Sequence, residues 1–151
     1  MTEDTVPTSY HHRQVSRPTV VSFIAITALF AMPFFIVGLH LVLFAVLVPI
    51  FALVAVVHWL LYSMTVEVSG QELRWYFGPG FWRKRIVLSE IAHVQRVRIP
   101  WWYGIGIKYA APAWVYLVAP GDGVEVRTVN GETVRIGTDD AARLMGSLAD
   151  R

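Results

Sequence analysis

Between Pro18 and Val66 the chain carries no Asp, Glu, Lys or Arg. That is about fifty residues, and a single bilayer crossing takes about twenty apolar ones. An uncharged run of this length is broken only near its middle, at Gly38-Leu39-His40. The expectation is two transmembrane helices joined by a very short turn, a hairpin filling residues 18–63. Residues 1–17 are polar and short, with Pro7, His11, His12, Arg13 and Arg17, and read as a disordered tail. Residues 64–151 remain for one small domain with its own core.

A cleaved secretory signal fits this pattern less well. Signal sequences carry a short apolar stretch of about 7–15 residues and a small-residue cleavage site. Here the stretch is longer, runs straight into a second one, and lacks a convincing A-x-A. A buried soluble helical pair would need more than the remaining chain to cover it. The positive-inside rule sets the orientation. Arg13 and Arg17 precede the first crossing, and Arg74, Arg83, Lys84 and Arg85 follow the second. Both termini are therefore expected on the cytoplasmic side of a multi-pass protein of the cell (inner) membrane. Trp59 and Tyr62 fall where an inner-leaflet aromatic belt would lie. His40 and His58 are the only ionisable groups in the crossings, which argues for an anchor over an ion or proton path.

The chain has no cysteine, so disulfides, thiolate metal sites and a thiol nucleophile are excluded. Net charge is only +2, too little for a nucleic-acid partner. Its distribution is uneven. From Thr65 to Lys108 there are seven basic residues against three acidic, and from Tyr109 onward four against six.

After Tyr62 the apolar run gives way to alternation with frequent turn signals. Strands are expected over Met64–Val68, Glu72–Phe77, Phe81–Leu88, His93–Ile99, Ala113–Val118, Val124–Val129 and Glu132–Ile136. Gly78-Pro79-Gly80 and Pro120-Gly121-Asp122-Gly123 read as turns, and Asn130-Gly131 as a hairpin tip. Pro100 to Gly106 has the composition of an irregular aromatic loop. Thr138 is placed to cap a final helix, with Asp139 and Asp140 complementing its dipole. About seven short antiparallel strands followed by one helix imply a sandwich or partly open barrel.

Three stretches carry a resemblance. They are Trp101-Trp102-Tyr103-Gly104-Ile105-Gly106-Ile107 with Ala113-Trp114-Val115-Tyr116, then Val124-Glu125-Val126, then Asn130 through Asp140. Together they resemble the bacterial pleckstrin-homology-like membrane proteins, which join a transmembrane hairpin to a PH-like domain. The Gly-Thr-Asp-Asp entry to the last helix is the most specific part. The resemblance implies a mainly-β PH-like domain, a seven-stranded, partly open barrel capped by the C-terminal helix. It implies no reaction and no cofactor. The segment before Trp114, often basic in that family, is Ala111-Pro112-Ala113 here.

Two candidate sites follow. Arg83-Lys84-Arg85, with Arg96 and Arg98 on the next strand, form a basic surface for anionic lipid, since juxtamembrane Lys and Arg attract such lipid at about 1 kcal/mol each. The bland alternative is a solvated face. Trp101, Trp102 and Tyr103 form a candidate interface or partner loop, with local core as the alternative. His11-His12 lack a third metal ligand, capping accounts for Asp139-Asp140, and no serine lies in a Gly-x-Ser-x-Gly context. The expected role is a non-enzymatic, membrane-anchored interaction module that binds a protein partner or itself. Lipid sensing through the basic strands is the rival, and an accessory subunit of a membrane enzyme or transporter the third. The lipid bilayer is itself an expected partner, and no small-molecule substrate is inferred.

Overall fold

A computed structural model describes residues 8–36 and 41–149. The apolar run forms α1 (Arg17–Ile36) and α2 (Leu41–Leu61). The expected turn Gly38-Leu39-His40 lies outside the described residues, as do residues 1–7. Ser16 caps α1, its hydroxyl accepting from the Thr19 amide at 3.2 Å. The helices lie side by side. Phe51 meets Phe23 at 6.0 Å and Phe30 at 5.6 Å between ring centroids. The Ser22 hydroxyl and His58 Nε2 are 3.2 Å apart.

Only one stretch among the described residues is long and apolar enough to cross a membrane, Phe44–Leu61, with a mean hydropathy of 2.6. The apolar part of α1, Arg17–Pro33, is shorter. It begins on a charge and contains Thr19, Ser22 and Thr27. The expected pair of crossings is corrected accordingly. The multi-pass arrangement with both termini cytoplasmic falls with it, because it needed two spans.

The rest is mainly β, and it is not a seven-stranded PH-like barrel. Among the described residues there are two sheets, of four and five strands, and one further helix. The first sheet contains β1 (Thr8–Val15), β2 (Ser63–Ser69), β3 (Glu72–Phe77) and β4 (Phe81–Val87), in that order and antiparallel throughout. β1 corrects the expected disordered tail. It pairs with β2 from Thr8↔Ser69 to Val15↔Ser63 across more than forty intervening residues of chain. Among its described side chains Tyr10 joins the core.

The second sheet has the order β5 (Ile91–Ile99), β8 (Gly121–Thr128), β9 (Thr133–Gly137), β7 (Ala113–Leu117), β6 (Gly106–Ala110). β6 falls where an irregular aromatic loop was expected to end. The turn expected at Gly121-Asp122-Gly123 is instead the start of β8. The Asn130-Gly131 hairpin forms as expected, with the Gly131 amide donating to the Thr128 carbonyl at 3.0 Å. One pairing, β7 with β9, is parallel, against the all-antiparallel expectation.

The sheets share one core. Val66, Val68, Leu73, Trp75 and Phe77 of the first meet Tyr116, Val124, Val126, Val134 and Ile136 of the second. Trp75 and Tyr116 meet edge to face at 5.2 Å. The last helix, α3 (Ala141–Ala149), packs on β5, β8, β1 and β2 through Ala141 and Leu144. The Thr138 hydroxyl accepts from the Asp140 amide at 3.1 Å at its entry. So α3 closes the side where β1 and β5 end their sheets. β4 and β6 end the sheets on the other side.

Candidate functional site

The basic strand lies on an edge. Register places Arg85 opposite Arg74 and Lys84 opposite Trp75, so Arg74 and Arg85 share the outer face of the first sheet. Arg83 joins them there, its guanidinium 5.8 Å from the Tyr76 ring centroid and its Nε donating to the Gly80 carbonyl at 3.0 Å. A groove of about 580 Å³ runs between Glu67, Arg74, Tyr76, Pro79, Arg83 and Arg85. Two carboxylates stand among these cations, and both are engaged. Glu72 accepts from Arg74 Nε at 2.7 Å and pairs with Arg85 at 3.5 Å. Glu67 lies 3.0 Å from His11 Nδ1 and accepts from the Tyr76 hydroxyl at 2.9 Å. Burial, and then that bond to Glu67, push the Tyr76 hydroxyl above its ordinary value.

Arg96 and Arg98 do not join this surface. They lie on β5, in the other sheet, and Arg96 is paired with Asp122 at 2.6 Å. The chain leaves the first sheet after β4 through a single 3-10 turn at Leu88–Glu90, so successive strands are not neighbours. Arg74 and Arg13 take their place on the face. From sequence both served only as flanking charges and not as members of this surface, because their grouping depends on strand register and not on spacing along the chain.

The outer face runs up to the end of α2. There Arg13 Nη2 donates to the Tyr62 hydroxyl and, at 3.4 Å, to Ser63 Oγ. Its guanidinium lies 5.5 Å from the Tyr62 ring centroid. The Ser16 amide donates to the Tyr62 carbonyl at 2.7 Å, and the Gly78 amide to the Ser63 carbonyl at 2.8 Å. The end of β1, the end of α2 and the turn after β3 are thus bolted together at one point. Among the described residues Arg13 and Arg83 have no carboxylate partner.

The aromatic loop divides. Trp101 and Trp102 are exposed, their rings edge to face at 6.1 Å. Tyr103 turns inward and packs against Ile99, Val115 and Leu117. Other exposed aromatics were not anticipated as a group. Phe81 and Trp82 start β4, and Tyr109 and Trp114 form a cross-strand pair on β6 and β7 at 5.4 Å. Trp82 has φ +50, a conformation bulky side chains seldom adopt.

On the outer face of the second sheet, Glu125 is almost fully buried. Burial, the largest influence, pushes its carboxyl up. Hydrogen bonds from Arg135 and Gln95, each 2.7 Å, and the charges of Arg135 and Arg127 together outweigh burial. The net effect holds Glu125 below its ordinary value of 4.5. A lowered carboxyl contributes stability above that ordinary value and loses it as pH falls through the lowered one. Thermal unfolding should therefore show the folded state weakening on acidification below about pH 4.5. Arg135→Ala should cost about 1–3 kcal/mol at pH 7, by leaving a buried carboxylate under-satisfied. It should also flatten the acid dependence, and an unchanged slope between pH 5 and pH 3 in that variant would refute this assignment.

No protein-family model matches the chain, and no curated protein matches its sequence. The geometry above therefore carries the functional argument alone.

Proposed function

We propose that this protein is a membrane-anchored interaction module with no reaction of its own. The Phe44–Leu61 stretch of α2 holds the β domain at a bilayer surface, and the domain binds a protein ligand, either a partner or a second copy. The observation that carries this is the unequal treatment of the sheet edges. α3 covers the β1 and β5 side, whereas β4 and β6 end their sheets with Phe81, Trp82, Tyr109 and Trp114 exposed around them. Uncovered edges are templates for an added strand, and exposed aromatics supply the anchoring area that protein interfaces use.

The test is site-specific photocrosslinking in native membranes, with the crosslinking residue at Phe81 or Tyr109 of the full-length chain. A discrete protein adduct from both positions, and none from Arg143 on α3, on the covered side, is the expected result. Lipid adducts alone, or no adduct, would overturn it. A second reading, anionic-lipid sensing, is favoured by the groove that gathers Arg74, Arg83 and Arg85 beside the base of α2. It predicts vesicle binding that falls with salt and with Arg83→Ala plus Arg85→Ala.

A further inference from the structure

At the base of the two long helices, two hollows meet. One is an apolar groove of about 340 Å³ between α1 and α2, lined by Val20, Phe23, Ala55, His58, Trp59 and Tyr62. The other is a polar hollow of about 450 Å³ lined by His11, Arg13, Trp59, Tyr62, Tyr76 and Pro79. Trp59 and Tyr62 belong to both walls, so the apolar groove and the polar hollow adjoin at these two side chains. We propose that this composite hollow binds one anionic phospholipid, with an acyl chain in the α1–α2 groove and the headgroup phosphate on Arg13.

Depth, charge and shape each point to that occupant. Trp59 and Tyr62 stand at the end of the apolar Phe44–Leu61 stretch, the level at which aromatic belts and lipid phosphates lie. Arg13 is fixed at this level by Tyr62 and Ser63 and has no carboxylate partner among the described residues. A guanidinium so placed suits a phosphate oxygen pair. Glu67, an acid on this face, is already engaged by His11 and Tyr76. A water-soluble phosphate would satisfy Arg13 but would leave the apolar groove empty, and a zwitterionic lipid would bring its own ammonium to a face that already holds Arg13, Arg83 and Arg85. Only a molecule with both an anionic head and a hydrocarbon tail fills both walls. Arg13 precedes the apolar run by a few residues and Tyr62 follows it, so their meeting is a product of the β1–β2 register and is invisible to spacing.

The inference rests on the membrane-anchored reading, and its test keeps the two apart. Full-length protein, delipidated in detergent, is offered phosphatidylglycerol and phosphatidylcholine with matched chains, and native mass spectrometry counts the lipid retained. A separate arm adds inorganic phosphate as a competitor. One phosphatidylglycerol per chain is expected, in clear excess over phosphatidylcholine and undisturbed by phosphate. Arg13→Gln should lower retention about tenfold, the loss of a charge-assisted contact. Ala55→Leu, which fills the apolar groove and leaves every charge in place, should also lower it, and this variant carries the test if Arg13→Gln fails to fold. Arg96→Gln, on the other sheet, should bind as the parent does. Equal retention of both lipids, displacement by phosphate, or undiminished binding by Ala55→Leu would overturn the assignment. The anchoring itself fails on a different result, namely full-length protein that stays in the aqueous fraction after a carbonate wash.

Discussion

Phe77→Ala should lower the unfolding free energy by about 3–5 kcal/mol, the cost of emptying a fully enclosed aromatic site. Phe77 is buried at the end of β3 and touches Tyr116 of the opposite sheet, with ring centroids 6.5 Å apart. It sits just above the junction with α2, because the next residue, Gly78, already contacts that helix. Its neighbours are strands in two different sheets, so the walls cannot close on the vacancy without shifting one sheet against the other. Trp75→Phe makes the contrast. Trp75 is also buried, yet its indole N–H has no hydrogen-bond partner among the described residues. Losing an unpaired polar atom along with some volume should cost much less than the Phe77 truncation. Thermal unfolding in detergent, followed by near-ultraviolet dichroism, measures both. Losses of similar size would mean that the sheets do not share a tightly packed core.

Gly78→Val is expected to cost about 2–3 kcal/mol for two reasons that add. Gly78 has φ +50, and a Cβ there would lie 2.7 Å from the Leu60 carbonyl oxygen and 3.1 Å from that of Trp59. Both obstacles are backbone atoms at the end of α2, so no rotamer change relieves them. Gly131→Val separates the reasons. Gly131 has φ +83 but nothing within 4 Å of a built Cβ, so it should lose only the conformational share, about 1–2 kcal/mol. Equal losses at the two glycines would show that the domain does not press against the helix.

Much of the β pattern could be read from adjacent residues. The strands over Glu72–Phe77 and Ala113–Leu117 and the Asn130-Gly131 tip stand where alternation and turn chemistry put them, whereas α3 starts only at Ala141, so Thr138 holds the Asp140 amide ahead of the helix and neither Asp139 nor Asp140 lies in its first turn. β1 could not be read, because Thr8 to Val15 is polar and owes its extended form to hydrogen bonds with β2. β6 was hidden by its short length and by the glycines and aromatics around it. The residues of the expected basic surface divide between the two sheets. Arg83 and Arg85 share a face, but Arg96 and Arg98 belong to another sheet, and Arg13 and Arg74 replace them. The two expected crossings became one because charge-free length is not the same as uniform apolarity, and α1 carries hydroxyls where α2 carries Val, Leu and Phe.

By itself the sequence determined where a charge-free apolar helix ends and an alternating β domain begins, because hydropathy and alternation are properties of neighbouring residues. Only the tertiary structure decided which sheet each strand joins, which edges stay uncovered, and that Arg13 meets Tyr62 at the foot of α2. Those outcomes depend on hydrogen-bond register between segments far apart in the chain, and register is chosen by the whole core at once.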